Sequence, residues 1–324
     1  MTGRALVFSN EKVIRQLKAR FVSYAGDKWY LNRQRDADGR FLAQIASQRD
    51  GAVGGAGAPQ GVYVATADGV LLAYDHFRPS AESFLALLDR ATAAAPGRAA
   101  EPSPVGVADE ASPDPVFRRE PPPGGRVLNV YTRIPLAPTV AAAWTPNQAT
   151  GRDHLWLTAH DLRALRPPTW TKGRRYPVPP ALTARVARFH LLDNVRGEPP
   201  FWTNEDVRAS NLVLTVEDAA ARRVRLDGIV RLSAPNGART YDARVQGYLT
   251  WNKAAGPDRE RLARFDWLAW GEASGEGTYT TGAPPGRFPL VVAASLAPAG
   301  DVIAATVPPQ GAKEWDAYLN PAAR

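Results

Sequence analysis

Five runs in the second half of the sequence alternate apolar and polar residues: LVLTVED (212–218), RRVRLDGIVRLSA (222–234), RTYDARVQGYLTWN (239–252), RLARFDWLAWGEA (261–273) and FPLVVAASLA (288–297). A period of two is typical of strands that bury one face and expose the other. Turn-forming residues separate the runs, such as those at 235–237 and 255–257. The pattern predicts an antiparallel meander that forms a curved sheet or a partial barrel.

A helix is expected to pack against this sheet. The segment PVPPALTARVARFHLLDN (177–194) begins with prolines, which suit the first turn of a helix, and places Leu182, Val186 and Phe189 on one face. A further strand is predicted in RVLNVYTRIP (126–135). Together these elements predict a β-rich domain over residues 126–324.

Residues 96–125 contain proline, glycine, alanine and acidic residues without any apolar period, which is typical of a semi-extended linker. A first domain, residues 1–95, precedes this linker. Its pattern predicts a helix capped by Ser9 or Asn10, a strand at FVSYAG (21–26), a helix at Asp36–Gln48, a hairpin at VYVATADGVLLAY (62–74) and a helix that begins at Ser80. The whole chain is therefore expected to belong to the α+β class.

The first domain resembles part of the thioredoxin-like family. The resemblance rests on FSNEKVIRQLKARFVSYAGD (8–27), which fits the family pattern F-x-(N/D)-E-x-(V/I)-x-x-L-x-x-x-F-V, and on PQGVYVATADGVLLA (59–73). It implies a shortened thioredoxin-like α/β domain that is redox-silent, because the family's CxxC segment and its opening strands have no counterpart here. It also implies a cis-proline near Pro59 or Gln60.

The resemblance also implies an open sheet edge, since the missing strands leave one side of the sheet unpaired. We expect this edge to be covered by the strand Val127–Arg133 or by another chain. The second domain is similar to uncharacterised β-rich domains that follow thioredoxin-like domains in environmental bacteria, through V-x-L-x-G (224–228), Y-x-A-x-x-x-G-x-L-x-W (241–251) and F-D-x-L-A-x-G-E (265–272). This second resemblance implies an architecture and a bacterial source, but no activity.

Composition excludes one class of chemistry. The chain has 324 residues, 44% hydrophobic and 22% charged, with no cysteine, so disulfides, thiolate nucleophiles and cysteine-ligated metals are ruled out. There is no run of about 18 apolar residues and no signal-peptide pattern. We therefore expect no membrane span, and a cytoplasmic protein as written or an exported one if its N-terminus has been trimmed.

The histidines suggest a metal site. His154, His160 and His190 lie within 37 residues of one another, and Asp193 and Glu198 are nearby carboxylates. Three imidazoles, or two with a carboxylate, can form an open transition-metal site that activates water. The spacing matches no known signature, and surface, loop or helix positions explain the same histidines. The carboxylates likewise either form an acid/base pair or simply cap helix ends.

Tryptophans are the candidate ligand-binding residues. The chain has nine, of which Trp202, Trp251, Trp267 and Trp270 lie in or beside the β-rich pattern. Aromatic side chains concentrate at binding surfaces, although packing in the core is their more common role in a sheet. Trp267 and Trp270 are an odd number of positions apart, so in a regular strand they point to opposite faces.

Positive charge suggests a third kind of partner. The net charge is +8, and residues 151–200 hold nine Lys or Arg against four Asp or Glu. Basic and aromatic residues together favour a polyanion, although a solvated surface explains the same charges. Seven of these nine basic residues are interleaved with Trp156, Trp170 and Tyr176: Arg163, Arg166, Lys172, Arg174, Arg175, Arg185 and Arg188.

The leading hypothesis is therefore a two-domain bacterial protein in which a thioredoxin-like scaffold carries a β-rich domain that binds a small-molecule or protein ligand. The first alternative is a metal-dependent enzyme that uses the histidines and carboxylates above. The second is a polyanion-binding module. The sequence does not indicate a reaction, a cofactor beyond that transition metal ion, or an oligomeric state.

Overall fold

The structure is a computed structural model that describes residues 7–8, 10–26, 28–33, 37–50, 57–76, 80–95, 120–136, 150–253 and 260–321. Contacts between residues divide the chain into unit 1, Met1–Phe117, and unit 2, Arg118–Arg324. The boundary falls inside the predicted linker, whose residues 96–119 lie outside the described part of the chain.

Unit 1 consists of helices and one β-hairpin in its described part. Two of the predicted helix starts are confirmed, because the Asn10 side chain accepts hydrogen bonds from backbone N–H groups of the first turn and Ser80 does the same for the last helix. The elements are α1 (Glu11–Arg20), α2 (Lys28–Arg33), α3 (Ala37–Ser47), β1 (Val62–Ala65), β2 (Leu71–Asp75) and α4 (Ala81–Ala94).

The hairpin of β1 and β2 is also confirmed. The two strands pair antiparallel, and Gly69 takes a φ of 85° in the turn between them, a conformation that glycine adopts without strain. Val64 of the hairpin shares a core with Val13 of α1 and Leu87 of α4. This core accounts for the apolar spacing of all three elements.

The predicted strand FVSYAG is wrong. Residues 21–26 form no strand, and Val22 is fully exposed, while Tyr24 is 67% exposed. A strand persists only where its backbone groups pair with a neighbouring strand, and residues 21–26 belong to neither sheet of the described chain. Helix α2, which the pattern did not predict, follows it. No peptide bond in the described chain is cis, and Pro59 is trans.

Unit 2 is the β-rich part of the molecule, and the five strands predicted from the period of two are confirmed as β6 to β10. Its elements are β3 (Arg126–Arg133), β4 (Gly151–Leu157), α5 (Ala159–Leu165), β5 (Arg175–Pro177), α6 (Pro180–Arg185), a π-helical segment (Val186–His190), β6 (Val207–Asp218), β7 (Arg223–Ser233), a 3-10 turn (Pro235–Gly237), β8 (Arg239–Lys253), β9 (Glu260–Gly275), β10 (Arg287–Leu296), α7 (Val302–Thr306), a second 3-10 turn (Gln310–Glu314) and α8 (Trp315–Leu319).

The strands of unit 2 form one antiparallel sheet in the order β4-β3-β10-β9-β8-β7-β6-β5. Strands β5 to β10 are consecutive, so the predicted meander is confirmed. The expectation that Val127–Arg133 covers an edge of the first domain is wrong. These residues form β3, which pairs with β4 on one side and with β10 on the other, so both of its edges are occupied within unit 2.

The sheet curls around a single interior. In a flat sheet β4 and β6 would be about 29 Å apart, because neighbouring strands are about 4.8 Å apart. One small cavity is nevertheless lined both by Leu155 of β4 and by Leu212 of β6. Glycines help the strands bend, since a β carbon at Gly228 or Gly271 would collide with a carbonyl oxygen of the neighbouring strand. The sheet is therefore an open, strongly curved partial barrel.

The C-terminal segment, residues 301–321, covers one edge of this sheet. Val127 and Trp156 lie on the face of β3 and β4 opposite the interior. There they form a second core with Ala304, Ala312 and Tyr318 of this segment. Strand β4 is the first strand of the sheet, so one of its sides has no neighbouring strand. Within the described residues, no helix is both long enough and apolar enough to span a membrane.

Candidate functional site

Helix α6 and the π-helical segment after it pack against the core that the curled sheet encloses. Leu182 and Val186 belong to this core, yet the same helix also buries Arg185, Arg188 and His190. Single-turn π-helical segments are rare in proteins, and those that occur are often found at functional sites. A helix that buries three basic side chains is therefore the first candidate for a functional site.

Arg185 is 1% exposed and forms the centre of a buried polar cluster. Its guanidinium donates to the Asp161 carboxylate at 2.6 Å. Its remaining hydrogen bonds go to the backbone carbonyls of Trp156, Tyr318 and Leu319. A buried charge is tolerated when it is both paired and hydrogen-bonded. Arg185 thus ties helix α5, strand β4 and the C-terminal segment together.

His190 is fully buried and uses both ring nitrogens. Nδ1 lies 3.1 Å from Oδ2 of Asp153, and Nε2 lies 2.9 Å from the hydroxyl of Tyr318. The Tyr318 hydroxyl also accepts a hydrogen bond from the Trp156 N–H. Both ring nitrogens of His190 therefore have a polar partner, and the Tyr318 hydroxyl links His190 to the backbone of β4.

The Asp153–His190–Tyr318 arrangement looks like a catalytic relay but is closed to substrates. The second oxygen of Asp153 accepts a hydrogen bond from the Gln310 N–H, so every polar atom of the three side chains has a partner. Burial raises the pKa of Tyr318 far above its usual value, and its hydroxyl stays protonated. The arrangement is an internal brace that holds the C-terminal segment against β4.

Two more buried arginines hold loops in place. Arg188 donates to the carbonyls of Trp202 and Pro321. Arg196 pairs with Asp193 at 2.5 Å and donates to the carbonyls of Gly275 and Thr280. Like Arg185, these side chains donate to backbone carbonyls of segments outside their own helix or turn.

The predicted metal ligands are not brought together. His154 lies on β4, and His160 is exposed in the first turn of α5, so the two are not on one strand. His190 is held in its brace, Asp193 pairs with Arg196, and Glu198 pairs with Lys313 at 3.6 Å. No group of three or more His, Asp or Glu side chains that could hold a metal ion is found in the described residues. The geometry therefore adds no support to the predicted metal centre.

The nearby carboxylates make hydrogen bonds to backbone in turns, although the short helix expected after Thr203 is absent, because residues 204–206 form a turn. Asp193 accepts hydrogen bonds from the N–H groups of Val195 and Arg196, and Asp206 exchanges hydrogen bonds with Thr203. These are turn and cap contacts. They explain the acidic residues around 193–206 without catalysis.

The four tryptophans named as ligand-binding candidates lie in different places. Trp267 is buried on the interior face and Trp270 is half-buried, as their odd spacing predicts. Trp251 is buried and contacts Trp170 edge to face at 5.5 Å. Trp202 is buried under the guanidinium of Arg239, 3.8 Å from its ring centre.

Two small cavities lie in the interior. The first, about 20 Å³, is lined by Trp202, Arg239, Asp193 and Arg196 among others, and burial lowers the pKa of Arg239 to about 10. The second, also about 20 Å³, lies between α6 and the sheet. Its lining is entirely apolar: Leu155, Leu157, Val178, Leu182, Val186, Leu212, Leu226, Val245, Phe265 and Trp267. Of these two cavities, the second combines an apolar wall with one of the candidate ligand-binding tryptophans, Trp267.

Some buried polar atoms have no hydrogen-bond partner in the described part of the chain. Oγ1 of Thr132 and both amide atoms of Asn194 are among them, and both residues lie against Gly151. Nδ1 of His154 is another. Burial lowers the pKa of His154, against the opposing charges of Asp153 and Asp301. The ring is therefore biased toward its neutral form.

Sequence reasoning missed the partners of the buried helix. It considered His190 and Arg185, and Asp153 and Asp161 as possible metal donors, but it did not predict that these carboxylates and Tyr318 complete the hydrogen bonds of the helix. Three basic residues at helical spacing among apolar residues were the signal available. They indicate charges inside a core, which require carboxylates and carbonyls from elsewhere.

Neither the family models, nor the curated proteins, nor the solved structures that were compared with this chain gave a match.

Proposed function

We propose that unit 2 binds a small apolar ligand inside its curled sheet and that unit 1 is a thioredoxin-like scaffold without redox activity. One observation carries the proposal, namely the cavity between α6 and the sheet with its ten apolar lining side chains. Ligand sites are typically enclosed and mostly apolar. Trp267, one of the four candidate ligand-binding residues, lies in this wall.

The ligand would enter by movement of α6. A cavity of about 20 Å³ holds no more than one water-sized molecule, so a larger guest requires the wall to yield. Helix α6 has six residues and no side-chain cap at Pro179, whereas its other end is fixed through Arg185 and His190. Helices this short are marginal unless packing holds them. The N-terminal half of α6 is therefore the part that moves.

The chemistry of the wall indicates the class of ligand. No charged or hydrogen-bonding side chain lines the cavity, except for the indole of Trp267. Burial of apolar surface is then the main source of affinity, at about 25 cal/mol per Å². A linear acyl or alkyl chain fits this chemistry, and affinity should rise with chain length until the cavity is full.

Calorimetric titration with linear alkanols from hexanol to dodecanol tests the proposal. The Leu182→Ala variant enlarges the cavity and should bind about tenfold tighter than the wild type. The Val245→Phe variant fills it and should weaken binding, while the matched change Val213→Phe, at a half-exposed position of β6, should not. If neither the wild type nor folded Leu182→Ala takes up any alkanol, the ligand-binding proposal is wrong.

A scaffold role for unit 1 has its own test in the full chain. Leu88 is buried in the core of unit 1, and Leu88→Ala should destabilise that unit by about 2–5 kcal/mol. Alkanol affinity should stay within about twofold of the wild type at temperatures where unit 2 remains folded. A large loss of affinity would show that unit 1 takes part in binding.

A further inference from the structure

A cluster of exposed cations surrounds a half-exposed tryptophan at the β5 side of unit 2. We call it the basic edge and define it as Trp170, Lys172, Arg174, Arg175 and Arg222. Of the arginines grouped as basic in the sequence, Arg185 and Arg188 do not belong to a surface, because they are buried and donate to backbone carbonyls. Arg222, which comes from the turn between β6 and β7, was not in that set.

Backbone hydrogen bonds place the cations of the basic edge on a rigid support. The Gly173 N–H donates to the Val216 carbonyl at 2.8 Å, and the Val216 N–H donates to the Arg174 carbonyl at 2.9 Å. Arg175 then pairs with Thr215 in the ladder of β5 and β6. Arg174 and Arg175 therefore belong to the hydrogen-bonded ladder of the sheet, and their side chains point to opposite sides of it.

Three cations of the basic edge form no ion pair within the described chain. Lys172, Arg174 and Arg175 are not paired with any carboxylate of the described residues, and all three are exposed. The adjacent strand behaves differently, because Arg223 pairs with Glu217 and Arg225 pairs with Asp227, each at 2.6 Å. These three cations are therefore available to an anion at the end of the sheet where β5 begins.

Trp170 gives the basic edge an aromatic surface. Its ring is packed edge to face on buried Trp251, and the guanidinium of Arg222 lies 5.0 Å from its centre. The indole is therefore held in place while remaining partly exposed. Sites for single-stranded nucleic acid combine fixed aromatic side chains, on which bases stack, with cations that follow the backbone.

We propose that the basic edge binds single-stranded nucleic acid, with Lys172, Arg174 and Arg175 contacting phosphates and one base against Trp170. The chemistry is sequence-independent, since no side chain of the basic edge is a buried hydrogen-bond donor aimed at a base. Binding should weaken steeply with salt because each phosphate contact releases a counterion. The site is separate from the apolar cavity, so alkanol binding and nucleic-acid binding succeed or fail independently.

Fluorescence anisotropy with a labelled oligothymidylate tests this site in the full chain. Replacement of Lys172, Arg174 and Arg175 by Glu should lower the affinity at least about tenfold and reduce the slope of log K against log salt by about 2. The matched control replaces Arg152, Arg231 and Arg244 by Glu, which makes the same change in net charge at exposed positions elsewhere in unit 2. The control should change affinity less than about threefold.

A Trp170→Ala variant separates nucleic acid from other polyanions. It should lower affinity for the oligothymidylate by about fivefold or more, as expected for loss of one stacked base, and leave affinity for heparin unchanged. Equal losses in the two Glu variants would overturn the proposal, because only net charge would then matter. Tighter binding of heparin than of the oligonucleotide, with no effect of Trp170→Ala, would also overturn it in favour of a sulfated polymer.

The basic edge has one structural explanation to be excluded. Charges and prolines on a short edge strand prevent pairing with another chain, and β5 has only three residues, with Pro177 among them. If the wild type binds no oligonucleotide while the Glu variant remains soluble and an Arg174→Val variant aggregates, the basic edge only protects the sheet and the proposal is wrong.

Discussion

Arg174 and Arg175 precede Arg185 and Arg188 by about ten residues, yet the fold uses the two pairs in opposite ways. The first pair is exposed and forms no ion pair in the described chain. The second pair is buried and reaches the backbone of the C-terminal segment. A charge can enter a protein interior only when a full set of partners meets it there. The number of basic residues in a short stretch of sequence therefore does not indicate which of them are buried as part of the fold and which remain exposed to a partner.

The largest effect should follow from removal of a buried cation. Arg185→Met leaves the Asp161 carboxylate buried without its partner and should lower the free energy of unfolding by about 3–5 kcal/mol. Urea unfolding measures this, with Arg174→Met as the control, which should stay within about 0.5 kcal/mol. Equal effects of the two substitutions would remove the distinction between the two groups of cations.

The second largest loss of stability should follow from removal of the Tyr318 hydroxyl, which helps to hold the C-terminal segment. Tyr318→Phe removes the hydroxyl that joins Nε2 of His190 to the Trp156 N–H and should cost about 1–3 kcal/mol. Tyr279→Phe is the matched control, because Tyr279 is 73% exposed. A Tyr318→Phe variant as stable as the wild type would show that the brace does not hold the segment.

A smaller effect should appear as pH dependence. Burial lowers the pKa of His154 in the folded state, so the unfolded state binds more protons below its pKa of about 6.5. The contribution of His154 to the free energy of unfolding is complete above that pH. It declines as the pH falls toward the folded-state pKa, by up to about 1.4 kcal/mol per pH unit.

His154→Gln should therefore flatten the change in unfolding free energy between neutral pH and mildly acidic pH. The same substitution at His160, which is exposed, serves as the control and should leave the slope as it is in the wild type. A slope that His160→Gln alters and His154→Gln does not would contradict the assignment.

The smallest effect should come from the basic edge. Replacement of Lys172, Arg174 and Arg175 together by Ala should leave the free energy of unfolding within about 0.5 kcal/mol of the wild type, since these side chains are exposed and form no ion pair in the described chain. Thermal unfolding measures this. A loss comparable to that of Tyr318→Phe would mean that the exposed cations also brace the fold.

Much of the fold was predictable because strand periodicity is strong where one face is buried. Strands β6 to β10 alternate regularly, and Trp267 and Trp270 consequently face opposite sides. The prediction failed at FVSYAG, where six residues of strand-like composition join neither sheet of the described chain. Composition indicates what a segment can do, but pairing decides whether it becomes a strand.

The candidate site was less predictable. His154, His160 and His190 are near one another in sequence, but they lie on a strand, on a helix and at the end of the π-helical segment. The contacts that define the buried cluster join positions far apart, since Arg185 and Tyr318 are 133 residues from one another. No local pattern of residues records such a pairing.

The sequence alone determined the absence of thiol chemistry, the meander and the helix caps, because each depends on residue type or on neighbours within one element. The tertiary structure decided which arginines are buried, and it placed β3 between β4 and β10. It also curled the sheet around an apolar cavity and left the basic edge exposed. These outcomes depend on which distant groups meet, and the free energy of burying a charge or an apolar side chain is set by those neighbours.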